Sequence, residues 1–156
     1  MADLFLLLPA EEGDSALFAW RERGAWRFAD ELPADRPVDT AVAFIPGPAV
    51  TRHRVEITAR RFSEVRQAAL FAVEDDVAEP VDQIHIAVGP ETQPGTGREV
   101  LVASAADMGS WIAYLSARGL GAADMVAAHS LLPADVDGLE APDEYLVRRD
   151  GLAVSL

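Results

Sequence analysis

Between Arg60 and Gly89 the chain reads RRFSEVRQAALFAVEDDVAEPVDQIHIAVG, and its apolar positions change period once. Phe62, Val65, Ala69, Ala72, Val73 and Val77 recur in steps of three and four, the spacing of one helix face. Ser63 and Thr58 are both candidate N-caps, because either hydroxyl can accept a bond from an orphan amide. Pro80 closes the pattern, since proline lacks the amide donor and its predecessor avoids α geometry. From Gln83 to Val88 the period drops to two. Ile84, Ile86 and Val88 fall on one side, Gln83, His85 and Ala87 on the other, which predicts a half-buried strand. Helix and strand are separated by a run of carboxylates: Glu74, Asp75, Asp76, Glu79 and Asp82.

The same patterns organise the rest of the chain. Leu4 to Leu8 is a short apolar run that predicts a buried strand, and Pro9 to Asp14 is a turn by composition. Ser15–Arg21 and Ala25–Ala29 flank Glu22-Arg23-Gly24 as a hairpin, giving three consecutive antiparallel strands. Leu32 to Asp39 is a proline-rich connector. Ala41–Ile45 and Val50–Ile57 are strands on either side of the Pro46-Gly47-Pro48 turn. Pro90 to Gly97 is a polar loop, read as a hairpin tip and also as the place for a lobe boundary. Glu99 to Ser104 pairs with the strand before it. Asp107 to Arg118 is the second helix, with Asp107 as cap, Met108, Trp111, Ile112 and Leu115 as stripe, and Gly119 at C′. Ala123 to Val126 is a short strand, His129 to Pro133 has no clear pattern, and Ala134 to Asp143 is an acidic loop. Tyr145–Arg148 and Leu152–Leu156 form a last hairpin around Arg149-Asp150-Gly151. Strands in antiparallel groups with two intervening helices predict an α/β, mixed α+β fold. The final strand runs to Leu156 without a polar close, which suggests a chain cut from something longer.

Composition narrows the function. At 156 residues the chain suits one domain or two small lobes, and half of it is apolar. The formal charge of -13 argues against nucleic acid, whose binding rests on cations at phosphates, and against an anionic membrane surface. It favours a partner with a basic surface. All thirteen basic residues are arginine, so no lysine is present for a Schiff base or a phosphate. The absence of cysteine removes disulfides, thiol nucleophiles and thiolate metal sites. The N-terminus lacks the features of a signal peptide, and no stretch approaches the ~20 apolar residues of a membrane helix. The reading is a soluble, cytoplasmic chain.

Catalytic patterns are missing. No GxSxG elbow, GxxxxGK[ST] loop or GxGxxG loop occurs. His53, His85 and His129 are far apart, with no pair at ligand spacing; His53, between Arg52 and Arg54, reads as an exposed strand residue. The carboxylate cluster is the densest site candidate, but Glu74, Asp75 and Glu79 do not share one helix face. His85 is the nearest nitrogen ligand. A solvated acidic helix end explains the run more simply than a metal or catalytic site, and it is compatible with protein docking. No cofactor or metal is expected.

The central segment resembles that of the cytoplasmic part of the type II secretion system L protein family (GspL). Arg61 or Arg66, Gln67, Ala68, Glu74, Asp75, Asp82, His85 and Ala87 stand at comparable places, with Val73 where leucine is usual. The likeness continues through Ile45-Pro46-Gly47, Val100 to Ala103, Trp111, Leu115, Gly119-Leu120 and Leu132-Pro133. It implies an actin-like fold of ribonuclease H-like lobes. It implies a place at the cytoplasmic face of the bacterial inner membrane, in a platform with GspM and GspF. It also implies a further cytoplasmic part, one membrane helix and a periplasmic domain beyond this chain. The implied role is a non-catalytic scaffold that holds the N-terminal domain of the secretion ATPase (GspE), with a homodimer also in view. The carboxylates Glu74, Asp75, Asp76, Glu79 and Asp82 are then the candidate partner-binding residues. The competing reading is an actin-like nucleotide-binding assembly protein of the type IV pilus (PilM) kind. Nucleotide-binding relatives place a D-x-G-[TS] loop between the first two strands; here that place reads Pro9-Ala10-Glu11-Glu12-Gly13-Asp14-Ser15, whose glutamates would repel phosphate.

Overall fold

The computed structural model of the protein describes residues 3–10, 14–32, 34, 36–91, 97–133, 135–141, 144–149 and 152–155. The chain divides into two compact units: Met1–Ala49 with Ser110–Leu156, and Val50–Gly109. The expected lobe boundary at 90–97 instead lies on the connection between two paired strands inside the second unit; of it, residues 92–96 lie outside the described residues.

The first unit is built on a five-stranded sheet. Strands β1 (Leu4–Leu7), β2 (Leu17–Glu22) and β3 (Ala25–Ala29) are antiparallel neighbours, as their alternation predicts. The β2–β3 turn is two residues long, with Arg23 at φ 49° and Gly24 at φ 84°. Positive φ at both positions is what a type I′ turn requires, and its twist suits a hairpin. β4 (Ala41–Ile45) joins the other edge of β1 in parallel, and β8 (Asp124–Ala127) joins β4 in parallel, giving the order β3-β2-β1-β4-β8. Parallel neighbours need a long crossover. Here the whole second unit lies in the chain between β4 and β8.

A second sheet of the first unit holds β9 (Gly138–Ala141), β10 (Glu144–Arg149) and β11 (Leu152–Ser155), all antiparallel. β9 corrects the expectation of a loop over residues 134–143: pairing with β10 outweighs the loop-like composition. The hairpin of β10 and β11 is present; its tip, Asp150-Gly151, lies outside the described residues. Leu146 of β10 is buried with Leu132.

In the second unit β5 (Val50–Val55) and β6 (Ile84–Val88) flank β7 (Arg98–Ser104), both antiparallel to it. Helix α1 (Phe62–Val73) covers one face of this sheet. Val73 and Ala69 pack with Ile84, Ile86, Val100 and Val102 as its core. The helix starts at Phe62, as its apolar spacing predicts, but ends at Val73, short of Val77. Arg61 occupies the N-cap with no side-chain bond, so neither Ser63 nor Thr58 caps it. Phe62 and Ala72 are exposed, and the buried stripe is Val65, Ala69 and Val73.

Helix α2 (Ala105–Ser116) begins three residues earlier in the chain than a cap at Asp107 would place it: Ser104 is the cap. Its hydroxyl accepts from the amides of Ala106 (3.1 Å) and Asp107 (3.4 Å). The helix ends in a Schellman motif. Leu120 N–H donates to Leu115 O (2.9 Å), Gly119 N–H donates to Ser116 O (3.1 Å), and Gly119 takes φ 72°. Trp111, Leu115 and Leu120 are buried, whereas Ile112 is half-exposed. Among the described residues no helix is long and apolar enough to cross a membrane.

Candidate functional site

The five sequence-selected carboxylates lie in one chain segment of the second unit and do not converge. α1 stops at Val73, and Glu74–Asp76 tighten into a single 3₁₀ turn before Val77 turns extended. Three adjacent carboxylates sit at the negative end of the helix dipole, and the last turn of α1 has no basic residue to offset them. The α-helix therefore ends short of Pro80. Near-threefold steps in a 3₁₀ turn point the three side chains in different directions. All five carboxylates are exposed. Among the described residues no group of histidines and carboxylates is arranged to hold a metal ion.

Two histidines stand near this segment. His53 on β5 differs from the exposed residue expected: its side chain is only 16% accessible. Its Nδ1 lies 3.8 Å from Asp76 Oδ2, and its Nε2 is 3.0 Å from the Thr51 hydroxyl. The alternation of β5 turns His53 toward the face on which Val100 and α1 lie, so burial follows from strand parity. His85 lies on the opposite side of β6 from Ile84 and Ile86, as its parity predicts, and is exposed. Partial desolvation, and then the positive charge of Arg66, hold its pKa below the usual imidazole value. Arg66 also donates from Nη1 to the carbonyl of Ile86 at 3.1 Å, tying α1 to β6. Arg66 and His85, two positions of the family-like run, are thus neighbours in space.

Sequence reasoning passed over two features of the first unit. His129, on a 3₁₀ turn after β8, is buried at 1% exposure; its HSLLP context has no periodicity that could announce burial. The proline-rich connector, read only as a link, forms one wall of a cavity of about 550 Å³. Asp30 and Glu31, just before the connector, and Arg36 within it line the cavity together with Phe18, Tyr114 and Arg118. Both guanidiniums are engaged by aromatic rings: Arg118 lies 3.5 Å over Tyr114, and Arg36 lies 5.4 Å over Trp20. Arg36 also donates to Asp3 O (3.3 Å), and Arg118 to Tyr114 O (3.2 Å). The signal that could have been read is the pair of acids just before the connector together with an arginine between its prolines. The cavity combines opposed charges and aromatic walls. Of the loop that would meet phosphate in nucleotide-binding relatives, Glu11, Glu12 and Gly13 lie outside the described residues.

Comparison with known proteins adds three findings. Residues 10–155 match the family model of type II secretion system protein L. Over 92 residues the chain is 29% identical to the type II secretion system protein L of Pseudomonas aeruginosa, covering 59% of this chain and 24% of that protein. The chain thus matches about a quarter of the length of this curated relative. Its fold is similar to the cytoplasmic domain of EpsL, an inner membrane component of the type II secretion system of Vibrio cholerae. The TM-score is 0.74 at 15% identity, over 98% of this chain and 70% of that one. Identity that low speaks for the fold alone: mixed α+β and actin-like, as the resemblance implied.

Proposed function

The chain belongs to the type II secretion system protein L family, and from that premise we propose that it is a non-catalytic adaptor of the secretion platform at the inner membrane. In this reading it recruits the secretion ATPase, GspE, by that enzyme's N-terminal domain. It works on the cytoplasmic side, alongside the platform proteins GspM and GspF. The observation that supports the reading most is the family match, which runs along 10–155 and so includes both units. The exposed carboxylates Glu74, Asp75, Asp76, Glu79 and Asp82 are proposed as the docking charges. They suit this role physically, because they project in several directions from one short segment and remain solvated. Opposite charges of this kind speed encounter and set orientation more than they add affinity.

The test is isothermal titration of the chain with the N-terminal domain of the cognate secretion ATPase at two salt concentrations, with magnesium-ATP as a parallel titrant. Binding that weakens with salt, and that falls when Glu74, Asp75 and Glu79 are replaced by arginine, is the expected result. Exposed ion pairs contribute ~0.2–1 kcal/mol each, so the triple replacement should weaken binding by about threefold to about 150-fold. Heat with ATP and none with the ATPase domain would reject the adaptor reading. Salt-independent binding that ignores the triple replacement would reject the docking residues and leave the adaptor reading standing.

A further inference from the structure

The five-stranded sheet of the first unit has two apolar faces, and only one is buried. Directly paired residues share a face. By register, Leu4, Leu6, Phe18, Trp20, Ala43 and Ile45 make one face, and each of them is buried. The opposite face holds Phe5, Leu7, Leu17, Trp26, Phe28 and Phe44. On it Phe28 is 66%, Trp26 47% and Leu17 41% exposed. The rings form a run across the strands. Phe44 stacks on Phe5 at 6.4 Å, Phe5 meets the edge of Trp26 at 5.7 Å, and Trp26 lies 6.5 Å from Phe28. A contiguous apolar surface of this kind is a recognition surface more often than a neutral one. Trp and Phe are also the residue types on which interface energy concentrates.

Charge says what should cover it. The hairpin from Leu17 to Ala29 contains Arg21, Arg23 and Arg27 against Glu22 alone, a local charge of +2 in a chain of -13. By register Arg21 shares the aromatic face, as does Asp124 at its β8 side, while Arg27 and Glu22 lie on the other face. Arg27 is paired with Glu22 at 3.1 Å. Arg21 instead lies 5.5 Å over the Trp26 ring, on the aromatic face. We propose that this face docks an amphipathic α-helix of a partner protein, with an apolar stripe flanked by carboxylates. Trp26 and Phe28 are its anchors and Arg21 its charge contact. A helix of ~10 Å diameter fits across the run, since three strand intervals of ~4.8 Å separate β4 from β3. A symmetric second copy is disfavoured, because a two-fold contact here would set two net-positive hairpins against each other. The inference stands on this sheet alone and does not depend on ATPase recruitment through the carboxylates of the other unit.

The test uses the full chain and three labelled helical peptides of about 18 residues, five turns each. One has a leucine stripe with a glutamate rim, one the same stripe with a lysine rim, and one an alanine stripe with the glutamate rim. Binding is read by fluorescence anisotropy at low salt. The glutamate-rim leucine peptide should bind at least about tenfold tighter than either other peptide. That order runs against the net charge of the chain, which by itself attracts the lysine-rim peptide. Phe28→Thr and Trp26→Thr should each weaken binding about tenfold, and Arg21→Glu should abolish the rim preference. Threonine keeps the strand preference of an exposed edge position, and circular dichroism confirms folding. Should Trp26→Thr fail to fold, Phe28→Thr and Arg21→Glu still decide. Tighter binding of the lysine-rim peptide, or binding indifferent to these three substitutions, overturns the proposal. So does a dimer in sedimentation equilibrium that Phe28→Thr dissolves, since a second copy would then occupy the face.

Discussion

Ile86→Ala separates a packed position from its exposed neighbour on the same strand. Ile86 is 1% exposed and sits in the core of the second unit with Ala69, Val73, Ile84, Val100 and Val102. The substitution removes three carbons. At ~0.8 kcal/mol per buried methylene the transfer loss is about 2.4 kcal/mol. The flanking residues belong to β6 itself, to its one neighbour β7 and to α1, so collapse around the gap is incomplete, and the cavity raises the cost to ~3–5 kcal/mol. Ala87, next in the chain, points the other way and is exposed. Ala87→Ser there should change stability by less than ~0.5 kcal/mol. The assay is urea unfolding followed by far-ultraviolet circular dichroism. Intrinsic fluorescence is the wrong probe, because Trp20, Trp26 and Trp111 all lie in the first unit and none in residues 50–109. A loss under ~1 kcal/mol for Ile86→Ala, or equal losses at 86 and 87, would refute the assignment of faces on β6.

The other expectations are local. His85 titrates below its ordinary value, so the unfolded chain binds its proton more readily than the folded one. Stability should therefore fall as pH drops from 6.5 toward the lowered pKa of the fold, and His85→Gln should flatten that part of a pH–stability curve. Gly119→Ala and Gly97→Ala both place alanine at positive φ, but only Gly97 also crowds its neighbours. A Cβ there would lie 2.9 Å from the Val55 carbonyl oxygen, whereas at Gly119 nothing is within 4 Å. Gly119→Ala should cost ~1 kcal/mol, and Gly97→Ala distinctly more, as ranked by thermal unfolding. Ser104→Ala leaves the amides of Ala106 and Asp107 without their acceptor and should cost ~1 kcal/mol, while Ser104→Asp retains the cap.

Elements whose signal is contained in their own few residues were legible in the sequence. The alternation of Ile84 to Val88 put the right side chains inside, because strand parity is a local property, and the apolar run from Leu4 announced its strand. Arg23-Gly24 specified its turn, and Gly119 its helix end, for the same reason. The carboxylates were correctly expected to be solvated, and the run around Arg66 and His85 was enough to point to the family. What failed depended on partners distant in the chain. β9 looked like a loop until β10 paired with it. His129 became enclosed through packing that its local sequence does not announce. Ser104 displaced Asp107 as a cap because β7 delivers its hydroxyl to the first turn of α2, a matter of how strand and helix join. The parallel order β1-β4-β8, with a whole unit inserted before β8, and the aromatic face left open beside it were likewise decided in three dimensions. Periodicity determines which side of an element is apolar; only the assembled sheet determines whether that side finds a cover.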